Sequence, residues 1–121
     1  MRSHKFPHTI YVLALRNNKY YVGQSANVYR TLREHFNHWA DNKLPPSEWV
    51  KKYTPYRIEK IVRNCQPHDL DYYTLHYMKK YGIDNVRGGI YGQIKLNPAD
   101  LRDIEREMRK ERETARQIMY I

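Results

Sequence analysis

The chain has 121 residues, a hydrophobic fraction of 40%, and 22 Lys and Arg against 13 Asp and Glu, which makes a formal charge of +9. This composition supports one modest core and argues against wholesale disorder, and the single cysteine excludes an internal disulfide and a zinc site built on paired cysteines. The longest apolar run, residues 10–15, is too short to cross a bilayer, and no secretion signal is recognised at the start. We therefore expect a small intracellular domain, in the cytoplasm or nucleus, with no membrane partner.

The N-terminal part of the sequence predicts a β-hairpin followed by a helix. Residues 9–15 are β-branched and apolar, which is typical of a buried strand. The asparagines in 16–19 favour a turn, and 20–23 then predict a second strand. A helix over about 27–40 has His35 at the edge of its apolar stripe. That stripe consists of Val28, Leu32, Phe36 and Trp39.

Beyond this helix the pattern predicts a loop, a third strand and two more helices. Prolines place residues 41–55 in a loop that is broken by a short turn around 48–52, and 57–62 alternate as a strand does. A helix over 67–81 ends at Gly82, and a last helix begins at Asn97. The order predicts an α+β fold with a three-stranded antiparallel sheet. We expect residues 1–96 to form this domain and 97–121 to pack on it as an added C-terminal helix.

The positive charge is confined to the first part of the chain. Residues 98–121 contain six basic and six acidic residues, so residues 1–97 carry the whole surplus. A surplus of this size favours a polyanion such as nucleic acid as the partner. Because the C-terminal helix has no net charge, we expect it to pack on the domain or to form a homo-oligomer.

Two short motifs occupy the predicted hairpin, one in each strand. They are Thr9-Ile10-Tyr11 and Tyr21-Val22-Gly23. Together they resemble the motif pair that names the GIY-YIG nuclease family. The resemblance continues over the second helix and residues 81–89. Residues 49–53 and 91–96 are similar to a subgroup common in large DNA viruses and protists, so a viral origin is expected from the resemblance alone.

This resemblance implies metal-assisted hydrolysis of phosphodiester bonds, with Mg²⁺ or Mn²⁺ as the cofactor. In the family, the two motif tyrosines and a helix histidine help to activate water, a helix arginine neutralises the phosphate, and a carboxylate of the second helix holds the metal. A base, a cation and a Lewis acid are what the reaction needs. The positions that match are Tyr11, Tyr21, Gly23, His35 and Asn85.

Two expected residues are missing. Thr31 stands where the family has its helix arginine, and Thr74 stands where it has its metal glutamate. The viral subgroup carries an acid one turn earlier, at the position of Leu70. Since one lost donor to the transition state typically costs about a hundred- to thousandfold in rate, these changes predict impaired cleavage.

Neighbouring side chains offer substitutes. Arg30 is adjacent to Thr31 but rotated by about 100° on the helix, and it could instead pair with Glu34. Arg33 is a less well placed alternative. Asp71 could hold the metal, or could simply be an acid favoured by the first turn of a helix.

Further residues are candidates for contact with nucleic acid. Lys51 and Lys52 follow Trp49 in a proline-flanked segment, a combination that suits a phosphate backbone or a base. Trp49 could equally cap the core. Arg87 precedes two glycines, where it could contact phosphate or only belong to a chain reversal. Asn85 and Arg33 complete this set.

Three hypotheses follow from the sequence. The first is a protein that binds duplex DNA and has a degenerate nuclease site. The second is an active metal-dependent endonuclease that uses Arg30 or Arg33 together with Asp71. The third is a structural or assembly scaffold that reuses the fold.

Overall fold

The computed structural model describes residues 8–37 and 47–119. Within these ranges there are four strands and four helices, with two short 3₁₀ turns after β1 and α3. The predicted end of the first helix, including Trp39, lies outside the described residues. The elements are β1 His8–Leu15, β2 Lys19–Ser25, α1 Val28–Asn37, α2 Glu48–Lys52, β3 Pro55–Cys65, α3 Asp69–Tyr81, β4 Val86–Gly88 and α4 Pro98–Met119.

The α+β class is confirmed, but the prediction of a purely antiparallel three-stranded sheet is wrong. The sheet is mixed and has four strands in the order β3-β1-β2-β4. β1 pairs antiparallel with β2 and β3, whereas β4 pairs parallel with β2. β4 was missed because its three residues are too few to show an alternating pattern.

β1 lies in the middle of three layers. Residues 9–15 are all buried, because helices cover both faces of the sheet. Tyr11, Leu13 and Leu15 belong to the core shared with α1 and α2. Ile10 and Val12 point to the opposite face, where they join the core shared with α3 and α4. The strand therefore divides the protein into two hydrophobic clusters.

The hairpin turn follows the prediction closely. Asn17 and Asn18 have φ values of 63° and 58°, in the left-handed region that asparagine tolerates better than most residues. At the other side of β1, the pairing with the edge strand β3 shifts register at three points. Such irregularities bend an edge strand and discourage pairing with another chain.

The apolar packing of α4 on the domain lies in its first three turns, and Glu111 beyond them is paired with Lys79. Ile104 is fully buried, and Leu101 and Met108 pack against the α3 side of the core. From Glu111 to residue 118 every side chain is exposed. None of the helices in the described ranges is long and apolar enough to span a membrane.

Gly88 allows α3 and β4 to pack closely. A Cβ atom at this position would collide with the carbonyl oxygen of Val22 and would lie 2.9 Å from Oγ1 of Thr74. The backbone of Val22 is fixed by pairing between β2 and β4, so it cannot move aside without breaking the sheet edge.

We expect Gly88→Ala to lower the free energy of unfolding by about 1–3 kcal/mol, because the added methyl group overpacks this contact. Gly92→Ala is the matched control, since the nearest atom there would be 3.8 Å away. Its effect should stay within about 0.5 kcal/mol. Urea denaturation of both variants measures the difference, and equal losses would contradict the close contact.

Candidate functional site

The hydroxyl of Tyr11 and Nε2 of His35 lie 2.8 Å apart and form a buried hydrogen bond. Tyr11 comes from β1 and is 3% exposed, and His35 comes from α1 and is fully buried. The bond therefore connects the central strand to the helix that covers it. A hydrogen bond in such a low-dielectric position is stronger than one in water.

Tyr21 completes a cluster of three rings, which we call the tyrosine–histidine cluster. Its ring centroid lies 6.3 Å from that of Tyr11 and 5.5 Å from that of His35. Gly23 pairs with Tyr11 across β1 and β2, and a Cβ atom there would collide with the end of the Tyr11 ring. The motif glycine is thus required sterically, because it lets the ring of Tyr11 lie across β2.

Burial raises the pKa of both tyrosines. For Tyr11, loss of solvation raises the pKa far above its ordinary value of 10.0, and the charges of Tyr21 and Glu34 raise it further. For Tyr21, loss of solvation has the same effect. Both phenols are therefore neutral near neutral pH and act as hydrogen-bond donors or acceptors there.

Thr31 is held in a hydroxyl pair. Its Oγ1 lies 2.6 Å from Oγ of Ser25, at the junction of β2 and α1. The position thus brings no positive charge to the tyrosine–histidine cluster.

The two candidate arginines lie on the outer face of α1. Nε of Arg30 is 3.8 Å from Oε1 of Glu34, and both side chains are largely exposed. This is the ion pair that the sequence allowed as the alternative. Arg33 is exposed as well. Glu34 was treated only as a partner of Arg30, although its position next to His35 places negative charge near Tyr11.

Thr74 and Asp71, the two candidate positions on α3, also have structural roles. Thr74 is fully buried, and its hydroxyl donates to the carbonyl oxygen of Leu70 at 2.8 Å. Oδ1 of Asp71 accepts a hydrogen bond from the amide of Ile90 at 3.3 Å. α3 covers the sheet face opposite to the one covered by α1, and Asp71 there supports the turn that follows β4.

The candidate metal site does not assemble in the described part of the chain. No group of three His, Cys, Asp or Glu side chains gathers there in a way that could hold a metal ion. Asp71, the predicted ligand, keeps lone pairs beyond the single hydrogen bond that its Oδ1 accepts, whereas Thr74 is buried and its hydroxyl is already bonded to a carbonyl oxygen.

Arg87 and Trp49 are interior residues. Arg87 is 4% exposed, and its guanidinium carbon lies 4.5 Å from the centre of the Trp49 ring. Trp49 is 2% exposed, and its Nε1 donates to the carbonyl oxygen of Tyr20 at 2.8 Å. The guanidinium of Arg87 donates to the main-chain oxygens of Ile83, Val86, Gln93 and Ile94. The burial of Trp49 agrees with its core alternative, although both side chains also line a small cleft of about 330 Å³ beside Lys52 and Lys95.

Of the remaining candidates, Asn85 makes hydrogen bonds within the protein, whereas Lys51 and Lys52 are exposed cations. Nδ2 of Asn85 donates to the carbonyl oxygen of Tyr81 at 2.8 Å, while its Oδ1 accepts from Nζ of Lys19 at 2.7 Å. Lys51 and Lys52 are exposed on α2. Of the residues predicted to contact nucleic acid, these two lysines and Arg33 are available at the surface.

A cleft opens beside the tyrosine–histidine cluster. It has a volume of about 540 Å³ and lies between the start of α2 and the glycine-rich segment after β4. Tyr21 belongs to both the cluster and the cleft. A ligand in the cleft would therefore contact Tyr21, whereas Tyr11 and His35 do not line it. The lining residues are Tyr21, Ser47, Glu48, Gly88, Gly89, Gly92, Gln93 and Ile94.

Comparisons with protein-family models, with curated proteins and with solved structures find no match to this chain.

The buried phenol of Tyr11 predicts a loss of stability in alkaline solution. Above about pH 10 the unfolded chain releases this proton while the folded protein keeps it, so the free energy of unfolding falls as pH rises through this range. Tyr11→Phe should flatten that fall by about 0.7 kcal/mol per pH unit averaged over about pH 9 to 11, half of the limiting slope of about 1.4 that is reached once the unfolded phenol is fully ionised. Urea denaturation between about pH 9 and 11 measures both slopes, and identical slopes would contradict the prediction.

Proposed function

We propose that this protein binds nucleic acid, with duplex DNA as the first candidate, and that it has the fold of a GIY-YIG nuclease with an impaired cleavage site. One observation carries the proposal. The tyrosine–histidine cluster is complete, but the place of the expected arginine is taken by Thr31, whose hydroxyl pairs with Ser25. The protein thus has the tyrosine–histidine cluster and lacks the arginine that the resemblance implies beside it.

The missing charge matters because of what phosphodiester cleavage requires. Negative charge develops on the phosphate oxygens in the transition state, and a preorganised cation there is worth roughly a hundredfold to a thousandfold in rate. Arg30 is paired with Glu34, so part of its charge is already compensated. The phenols of Tyr11 and Tyr21 are neutral, and they orient a ligand without balancing its charge.

The family would use Mg²⁺ or Mn²⁺ for cleavage. No group of three potential metal ligands gathers among the described residues, so we derive no catalytic step through a metal. Asp71 supports the turn after β4, and Leu70 is partly buried against the core.

Binding is supported by the distribution of charge. The surplus of positive charge lies in residues 1–97, and Arg33, Lys51, Lys52 and Arg63 are exposed. α2 carries its two lysines close to the cleft, because Glu48 at its start lines the cleft wall. Contacts of this kind neutralise phosphates and read little sequence.

We expect the protein to bind a fluorescein-labelled DNA duplex at about 50 mM salt, and to bind it roughly a hundredfold more weakly at about 200 mM, as for about four phosphate contacts. Lys51→Ala with Lys52→Ala should weaken binding and reduce the salt slope by about 2. Fluorescence anisotropy over a salt series measures both.

The control for this double variant is Arg102→Ala with Arg109→Ala, which removes the same charge from exposed positions of α4. It should change affinity and slope much less. If the wild type does not bind duplex at low salt, the proposal fails and the scaffold hypothesis gains support. The exposed end of α4, including Ile118, is the feature that favours self-association in that case.

Cleavage is tested with supercoiled plasmid and Mg²⁺ or Mn²⁺. We expect very slow nicking by the wild type, and faster nicking by Thr31→Arg combined with Leu70→Glu. Leu70 is the position at which the resemblance implies the acid, and its Cγ lies near Gly89, which lines the cleft with Tyr21. The arginine should contribute roughly a hundredfold or more.

The matched control is Thr31→Met combined with Leu70→Glu, which supplies a side chain of similar reach without the charge. Circular dichroism checks that each variant is folded, since Leu70 packs against the core. Rapid nicking by the wild type that disappears in Tyr21→Phe would overturn the impaired site and establish the active-endonuclease hypothesis.

A further inference from the structure

The ring of Tyr29 is unusually open to solvent. It lies in the first turn of α1 and is 66% exposed, more than any other aromatic side chain in the described ranges. An aromatic ring with this exposure is accessible to a ligand from solvent.

Arg63 of β3 holds this ring in place. Its Nη2 donates to the hydroxyl of Tyr29 at 2.9 Å, and its guanidinium carbon lies 5.7 Å from the ring centroid. The two residues come from different elements, so the contact fixes the ring relative to the sheet. Within residues 8–36 and 47–118, Arg63 has no acidic partner at ion-pair distance. Its positive charge is therefore available to a ligand.

Arg33 extends the same surface. It follows Tyr29 by one helical turn, which places both side chains on one face of α1, and it is exposed. We call Tyr29, Arg33 and Arg63 the Tyr29 platform. It consists of an exposed aromatic ring with Arg63 in contact with it and Arg33 one helical turn away along α1. This surface is separate from the cleft at Tyr21, because none of its three residues lines that cleft.

We propose that the Tyr29 platform binds an unpaired nucleobase by stacking, while Arg33 and Arg63 contact the phosphates on either side of it. Stacking on an aromatic ring suits any base, and a neighbouring arginine adds charge attraction to the backbone. A base inside a duplex has both faces covered by its neighbours. The ligand must therefore contain a single-stranded segment. This inference rests on the proposed nucleic-acid binding and specifies the class of substrate.

The test uses a labelled oligothymidylate and a labelled duplex in parallel anisotropy titrations. Tyr29→Ala should weaken binding of the single strand by roughly 5- to 100-fold, the usual value of one stacked base. Binding of the duplex should change much less. Tyr29→Phe keeps the ring and should retain most of the affinity, which separates stacking from the hydroxyl contact with Arg63.

Tyr72→Ala is the matched control, because Tyr72 is 54% exposed but lies on α3, on the other side of the sheet. It should bind the single strand as the wild type does. Urea denaturation confirms that the variants are folded. If Tyr29→Ala binds the single strand normally while the wild type binds duplex, this inference alone is overturned. If the wild type binds neither DNA, the proposed function fails with it.

Discussion

The hydrogen bond between Tyr11 and His35 is the contact on which the arrangement of the site depends. It joins the central strand to α1 at a place from which water is excluded, where a lost partner is costly. The bond forms only because Gly23 leaves room for the Tyr11 ring. Tyr21 then packs against the same imidazole and extends to the cleft. The two hairpin motifs and one helix histidine are thus a single packing unit.

The protein separates its neutral and charged groups. The phenols of the cluster are kept neutral by burial, and Thr31 beside them is bonded to another hydroxyl. The exposed cations lie outside, on α1, α2 and β3. A polyanion held by such a surface would be positioned near the cluster without meeting a strong electrostatic catalyst. Binding and cleavage can therefore be lost or retained independently, which is the physical basis of the function proposed above.

Features with a strong local pattern could be predicted from the sequence. The buried run of β1, the asparagine turn and the helices each have a pattern that depends on neighbouring residues. The partners of Arg87 could not be predicted, because they are main-chain oxygens, which every residue possesses. The sequence Arg87-Gly88-Gly89 therefore does not reveal whether the arginine is buried or exposed. β4 was missed because its pairing partner is remote in the sequence and its length is three residues.

The hydrogen bonds by which Arg87 holds the segment after β4 determine which positions there tolerate substitution during evolution. The carbonyl groups of Ile83 and Val86, which precede the segment, and of Gln93 and Ile94 within it accept hydrogen bonds from one guanidinium, and none of these bonds uses a side chain of the segment. Substitution of Gln93 or Ile94 therefore leaves these hydrogen bonds, and the backbone of the cleft wall, in place. Arg87 has no such freedom, because lysine lacks the forked geometry to replace it. New specificities could arise along this wall at little cost to folding.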